Sequence, residues 1–361
     1  MSFTELPYLK NVSAYVPGKQ PQTEGWVKLN TNENPYPPSP KVAESIIQAS
    51  ERLRLYPDPS CKKLRDVIAT HHGVSSDAIV VGNGSDDILN VLCRSYCDTE
   101  HSGVMLDPSY SHYPVLAGLQ NVELIQVPFK GNFEIDVDRI LELNPNILFL
   151  TSPNAPLSIG FSQAAIRCLA QKYSGLIVID EAYADFAEED AIPLFHEFNN
   201  IVITRTLSKS YALAGLRVGY AIAPMEVVEV LNKVRDPYNV NALSQAGAIA
   251  ALQDVNYYKG TIENIISTRE EYRDYFEKMG WKVNKSQANF LFIEPRDRLG
   301  NTGLQVVESL YHFLEENLVL VRYFKKHKET QNYIRVTIGT DVEMKRFKEV
   351  VEIWMTKDTQ K

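Results

Sequence analysis

The segment Ile203-Thr204-Arg205-Thr206-Leu207-Ser208-Lys209-Ser210 places an amine beside the hydroxyls of Thr206 and Ser208, with a second cation at Arg217. A lysine that follows an apolar run is a candidate nucleophile, because desolvation near other cations lowers its pKa and frees an amine to attack a carbonyl. The hydroxyls and Arg217 carry the donors that a phosphate needs. An exposed basic loop would show the same residues without the chemistry. In Leu176-Ile177-Val178-Ile179-Asp180-Glu181-Ala182-Tyr183, an acid stands directly after four apolar residues. Asp180 is therefore either a helix N-cap or a buried charge in want of a cation.

Two further places have chemistry-bearing spacing. Val80 to Ile88 runs through Gly82 and Gly84 into Ser85 and Asp86, so backbone N–H groups at a helix start are available to a phosphate. A tight turn whose acids favour the helix dipole fits as well. The dinucleotide fingerprint does not, since Asp87 occupies its third glycine position. In Tyr333 to Thr340, period-2 alternation sets Tyr333, Arg335 and Thr337 on one face, where Arg335 either meets water or clamps a carboxylate through paired hydrogen bonds. Arg322 shares its face with Leu318 and Leu320, an odd place for a solvated charge.

The elements that must position these residues follow from hydrophobic pattern. Short β-branched runs at 78–81, 104–106, 122–127, 147–150, 176–179, 201–204 and 218–223 alternate with helical patterns. Runs apolar on both faces predict an α/β fold with a mostly parallel central sheet covered by helices. Polar residues just beyond each run then mark the ligand crevice. Residues 1–40 are rich in Pro, Asn, Gly and Lys and predict an extended arm, 41–245 a large domain, and 246–361 a smaller α+β domain with strands near 289–293, 318–324 and 333–338. From about Met225 a long helical stretch leads towards Tyr272.

Bulk properties exclude several classes. The 361 residues are 44% apolar, enough for a large core, and carry a formal net charge of −8, which gives no long-range attraction for nucleic acid or an anionic membrane. No window has the roughly 20 apolar residues of a membrane span, and the start has neither a basic nor an apolar leader, so a cytoplasmic location is expected. Cys61, Cys93, Cys97 and Cys168 are expected as four core thiols, and no metal-binding spacing occurs.

Taken in order, Tyr15-Val16-Pro17-Gly18, Leu29 to Pro35, Tyr56-Pro57-Asp58-Pro59, Gly82 to Asp86, Pro108-Ser109-Tyr110, Asp180 to Tyr183, Arg205 to Tyr220 and Arg335 to Thr340 give the chain a close resemblance to the histidinol-phosphate aminotransferase family of fold-type I pyridoxal-phosphate (PLP) enzymes. The resemblance implies that Lys209 holds PLP as a Schiff base and moves the substrate's Cα proton, that Asp180 pairs with the ring nitrogen, and that Tyr183 bonds the ring oxygen while Tyr110 stacks on the ring. It assigns the cofactor phosphate to Ser85, Asp86, Thr206, Ser208 and Arg217, with Tyr56 entering from a second subunit of a homodimer. Arg335 would bind the carboxylate of 2-oxoglutarate or glutamate in a ping-pong exchange, and Tyr15 and Arg322 the phosphate of the amino donor.

One departure stands out. The family pattern Asn-Pro-Asn-Asn-Pro-Thr-Gly appears here as Ser152-Pro153-Asn154-Ala155-Pro156-Leu157-Ser158-Ile159-Gly160, with Ala155 where the asparagine near the ring oxygen belongs. Either Asn154 substitutes after a local shift or Tyr183 holds that oxygen alone. Within the fold, a phosphothreonine decarboxylase or an aromatic-amino-acid aminotransferase would use the same residues. A non-catalytic PLP-binding regulator would bring a basic DNA-binding unit, which the arm is not. A plain nucleotide-binding protein leaves Lys209, Asp180 and Tyr183 without a common purpose.

Overall fold

The computed structural model describes residues 4–325 and 327–357; residues 1–3 of the expected arm and the polar tail at 358–361 lie outside the described residues. In chain order the strands are β1 (Val27–Lys28), β2 (Ile79–Gly82), β3 (Gly103–Asp107), β4 (Ile125–Pro128), β5 (Ile147–Thr151), β6 (Leu176–Asp180), β7 (Ile201–Thr206), β8 (Gly219–Ile222), β9 (Lys282–Val283), β10 (Phe290–Glu294), β11 (Val319–Leu320), β12 (Arg322–Tyr323) and β13 (Ile334–Thr337). Seven of them form one sheet in the order β2-β8-β7-β6-β5-β3-β4. Only β8 runs against its neighbours in this sheet. Strands β5 and β7 are buried along their whole length, which explains why their sequences show no alternation. The expected fold class is the one observed, although β4 starts at Ile125 rather than Val122.

The small sheet, β12-β13-β10-β9, is antiparallel throughout. The stretch expected as one strand over 318–324 divides: β11 turns away to pair in parallel with β1 of the arm, while β12 joins β13. The helical stretch after Met225 resolves into Met225–Val234, Ala242–Gln253 and Val255–Lys278. Pro237 lies in the first break, and Asn241 begins the next helix by accepting from the Ser244 N–H. Residue 245, the expected domain division, falls inside Ala242–Gln253, whose small side chains pack against the helix Pro40–Ser50.

The arm departs from expectation in its second half. Leu29, Asn30 and Asn32 are buried, so this part is a packed wall rather than an extended appendage. Cys61, Cys93 and Cys97 are buried free thiols as expected, but Cys168 is exposed, because it lies on the outward face of the helix Gln163–Lys172 whose Ile166, Leu169 and Ala170 face the core. Among the described residues no helix is long and apolar enough to cross a membrane.

Candidate active site

Strands β5, β6 and β7 end in Thr151, Asp180 and Thr206, and the loops beyond them open into a cavity of about 330 Å³. The small sheet and the arm close it from the other side. Lys209, Asp180, Tyr183, Tyr110, Thr206, Ser208, Ser85, Asp86, Arg217, Arg335, Arg322 and Tyr15 all line this one space, although they come from positions 15 to 335 of the chain.

Asp180 is a buried charge and not an N-cap. It is 3% exposed, its carboxylate accepts from the Tyr113 hydroxyl at 2.8 Å and the Thr204 hydroxyl at 3.3 Å, and no cation pairs with it among the described residues. Burial pushes its carboxyl up to about 6, against the opposing Tyr113 hydrogen bond. Lys209 lies in the same cavity with its Nζ donating to the Thr31 carbonyl at 3.2 Å. Burial, helped by the Arg335 charge, pushes its ammonium down to about 8, so a substantial neutral fraction exists near physiological pH.

Donors that could hold an anion gather where β8 meets the helix Ser85–Tyr96. Gly84 has φ +84, a conformation that suits glycine, and its missing side chain leaves room for Arg217, whose Nη2 would lie 2.6 Å from an added Cβ. At Gly219 a Cβ would fall 2.2 Å from the Ser85 nitrogen, so only glycine lets the strand pass this close to the helix start. The first-turn N–H groups of that helix have no intrahelical acceptor. Arg217 donates to Asp86 at 3.2 Å and to Ser208 at 3.5 Å, and the Thr206 hydroxyl donates to Ser208 at 2.9 Å. Tyr110 donates to the other Asp86 oxygen at 3.0 Å. An anion cradle, a free amine and a buried carboxylate lacking a cation are what the phosphate, carbonyl and protonated ring nitrogen of PLP require, so the residues present fit that group.

The opposite wall carries the arginines. Arg335 is held by the Asn30 carbonyl at 2.9 Å and by the faces of Phe290 and Phe324, while its buried Nε has no partner among the described residues. Arg322 donates to the Val16 carbonyl at 3.1 Å and so brings the arm, with Tyr15, to the cavity mouth.

One expectation is corrected. Asn154 does not reach the cavity: it is fully buried, donates to the Pro108 carbonyl at 3.2 Å and accepts from the Leu157 N–H at 3.1 Å, which commits its carboxamide to the turn. Ala155 lines the cavity in its place. Tyr56 is 83% exposed and stacks on Tyr238 on the outer surface, away from its own chain's cavity.

Several further residues build the site that were not singled out in the sequence. Asn32 donates to the Tyr183 hydroxyl at 2.8 Å, and Asn34 donates to the carbonyls of Lys209 and Ser210, both at 3.0 Å. Tyr113 and Thr204 bind Asp180. His327, also on the cavity wall, contacts Asp107 at 3.0 Å. Behind the site Arg205 pairs with Glu181 at 2.7 Å, Asp190 at 2.9 Å and Asp185 at 3.4 Å. Burial opposes its charge, but these carboxylates outweigh burial and hold the guanidinium well above its ordinary pKa.

Residues 24–351 match the family model for aminotransferase class I and II. The chain belongs to this family. Among its class I and II relatives, the histidinol-phosphate aminotransferase of Microcystis aeruginosa is 39% identical over 345 residues, 95% of this chain and 96% of that protein. That of Geobacter sp. strain M21 is 42% identical over 94% of this chain and 95% of its own length. The solved histidinol-phosphate aminotransferase of Sinorhizobium meliloti, in complex with pyridoxal-5′-phosphate, superposes with a TM-score of 0.87 over 98% of this chain and 99% of that one, at 23% identity, and so shares the fold.

Proposed function

We propose that this aminotransferase carries PLP on Lys209 and transfers the amino group of histidinol phosphate to 2-oxoglutarate, a step of histidine biosynthesis, as its relatives' names suggest. The observation that carries the cofactor reading is Asp180, a buried carboxylate with no cation partner among the described residues, inside a cavity shared with a low-pKa lysine. When bound, PLP supplies an electron sink for the charge left as the substrate's Cα–H bond breaks. Asp180 holds positive charge at the ring nitrogen, and the Tyr183 hydroxyl donates to the ring oxygen. Ser85, Asp86, Thr206, Ser208 and Arg217 take the cofactor phosphate. Lys209 Nζ, depressed to about 8, is the base for the Cα proton and later returns it.

Arg335, whose Nε has no partner among the described residues and whose guanidinium lies against the rings of Phe290 and Phe324, takes the acceptor's carboxylate; Arg322 and Tyr15 take the donor's phosphate. The outer position of Tyr56, beside exposed Leu53, Leu55 and Tyr238, supports a homodimer in which it completes the partner's phosphate site. A cytoplasmic location suits a biosynthetic role of this kind. Absorbance spectra of the purified protein and of Lys209→Ala, before and after histidinol phosphate, test the reading. A cofactor band that the donor removes, that 2-oxoglutarate restores and that the variant does not form is expected. A band indifferent to histidinol phosphate overturns the substrate, and failure of added PLP to give a band overturns the cofactor.

A further inference from the structure

The loss of an asparagine at position 155 leaves Tyr183 as the ring-oxygen contact in the reading above, and a tyrosine hydroxyl helps there only if its hydrogen points into the cavity. We propose that Asn32, reaching in from the arm, is the positioning residue that fixes the Tyr183 hydrogen in that direction. This inference rests on the PLP reading of the site.

The argument is one of donor and acceptor polarity. Asn32 is 1% exposed, and its Nδ2 donates to the Tyr183 oxygen at 2.8 Å. A phenol oxygen that accepts on one side keeps its own hydrogen to donate on another, and no second partner holds the Tyr183 hydroxyl among the described residues. The Tyr183 ring makes a T-shaped contact with Phe290, centroids 5.2 Å apart, which packs the ring in place.

The orientation of the Asn32 carboxamide is itself determined. Its main-chain N–H donates to the Thr337 hydroxyl oxygen at 3.0 Å, which leaves the threonine hydrogen for Asn32 Oδ1 at 3.1 Å and turns Nδ2 towards Tyr183. Asn289 donates to the Asn32 carbonyl at 3.1 Å, pinning the backbone. That backbone has φ +55, a left-handed conformation in which asparagine is among the best-tolerated residues with a side chain. The chain Thr337 to Asn32 to Tyr183 therefore runs with every hydrogen directed towards the cavity. An asparagine 123 positions before Ala155 acts through the tyrosine instead of touching the ring oxygen itself.

The test reads the pH midpoint of the cofactor band in the substrate-free holoprotein, which depends on donation to the ring oxygen. Asn32→Asp keeps the tolerance for left-handed backbone but offers an acceptor, which draws the Tyr183 hydrogen away from the cavity. The midpoint is expected to rise by about one pH unit, the size of one hydrogen bond to a charged group. In the Tyr183→Phe background the same substitution adds only its own charge and moves the midpoint by less than half as much. Asn32→Gly, which accepts the backbone angle and removes the donor without adding charge, is expected to raise the midpoint with Tyr183 present and to leave it unmoved with Tyr183→Phe. Equal shifts in both backgrounds overturn the relay while leaving the cofactor reading intact. A wild-type protein with no titrating band overturns the cofactor reading and the relay with it.

Discussion

Replacing Asp180 by asparagine is expected to stabilise the cofactor-free protein at pH 8, which is the reverse of what removing a buried, hydrogen-bonded side chain ordinarily does. Burial without a cation raises the carboxyl from 3.8 to about 6 in the folded chain. The fold therefore favours the protonated acid: the stabilisation is complete below about 3.8, is lost as pH rises through about 6, and above that the ionised group opposes folding. A rise of about 2 pH units at 1.36 kcal/mol each sets this opposition at about 3 kcal/mol. Asparagine removes the charge and keeps an oxygen for the Tyr113 hydroxyl, but not the second carboxylate oxygen near Thr204. A net gain of about 1–3 kcal/mol remains. With an unfolding entropy of about 2.1 cal/mol/K per residue, 361 residues give roughly 1.3 °C per kcal/mol, so the melting temperature should rise by about 1–4 °C. Calorimetry at pH 8 and pH 5 on cofactor-free protein measures it, with the difference shrinking at the lower pH. Saturation with PLP should reverse the order, because the wild-type carboxylate then has its cation. A variant less stable than wild type at pH 8 without cofactor would show that the Asp180 charge is already compensated within the protein, and the argument from its isolation would fall.

Other consequences can be measured directly. Because burial lowers the Lys209 ammonium to about 8, the rate at which added PLP attaches to cofactor-free protein should climb with pH and level off above about 8; a profile still rising through pH 10 contradicts an activated lysine. Arg335→Gln should raise KM for 2-oxoglutarate by about 10–100-fold, the worth of a charge-assisted hydrogen bond, and an unchanged KM would place the acceptor's carboxylate elsewhere. Arg205→Met strands Glu181, Asp185 and Asp190 without their shared cation and should reduce unfolding free energy by about 3–5 kcal/mol in urea titrations, where a loss under about 1 kcal/mol would mean the cluster is solvated.

What could be read in the sequence was what is local. Ile147–Thr151 and Ile201–Thr206 are fully buried strands, so their composition alone marks them, and the chemistry sits at or just past strand ends, as at Asp180, the last residue of β6, and Lys209, three residues after β7. Partners hundreds of positions away leave no periodic trace. Asn32 meets Tyr183 and Thr337 only in the folded chain, and the arm's polar composition hides that it is a wall. Asn154 shows the same limit from the other side: its residue type suits a ligand, but the turn takes both ends of its carboxamide. Likewise the single apolar run at 318–324 conceals a division between two sheets, because Val319–Leu320 answers to a strand in the arm. Cys168 was misplaced because one helix turn can carry a thiol on either face.

The pairing of Val27–Lys28 with Val319–Leu320 has a consequence for the newborn chain. A ribosome releases the arm first, yet the strand that receives it emerges about 290 residues later, and Thr337, which anchors Asn32, later still. The large sheet can assemble in the meantime, since domains generally fold as units during synthesis. The segment that pairs with the arm over Lys209 thus arrives late, and a chain cut short before β13 would lack Thr337, the hydroxyl that anchors Asn32.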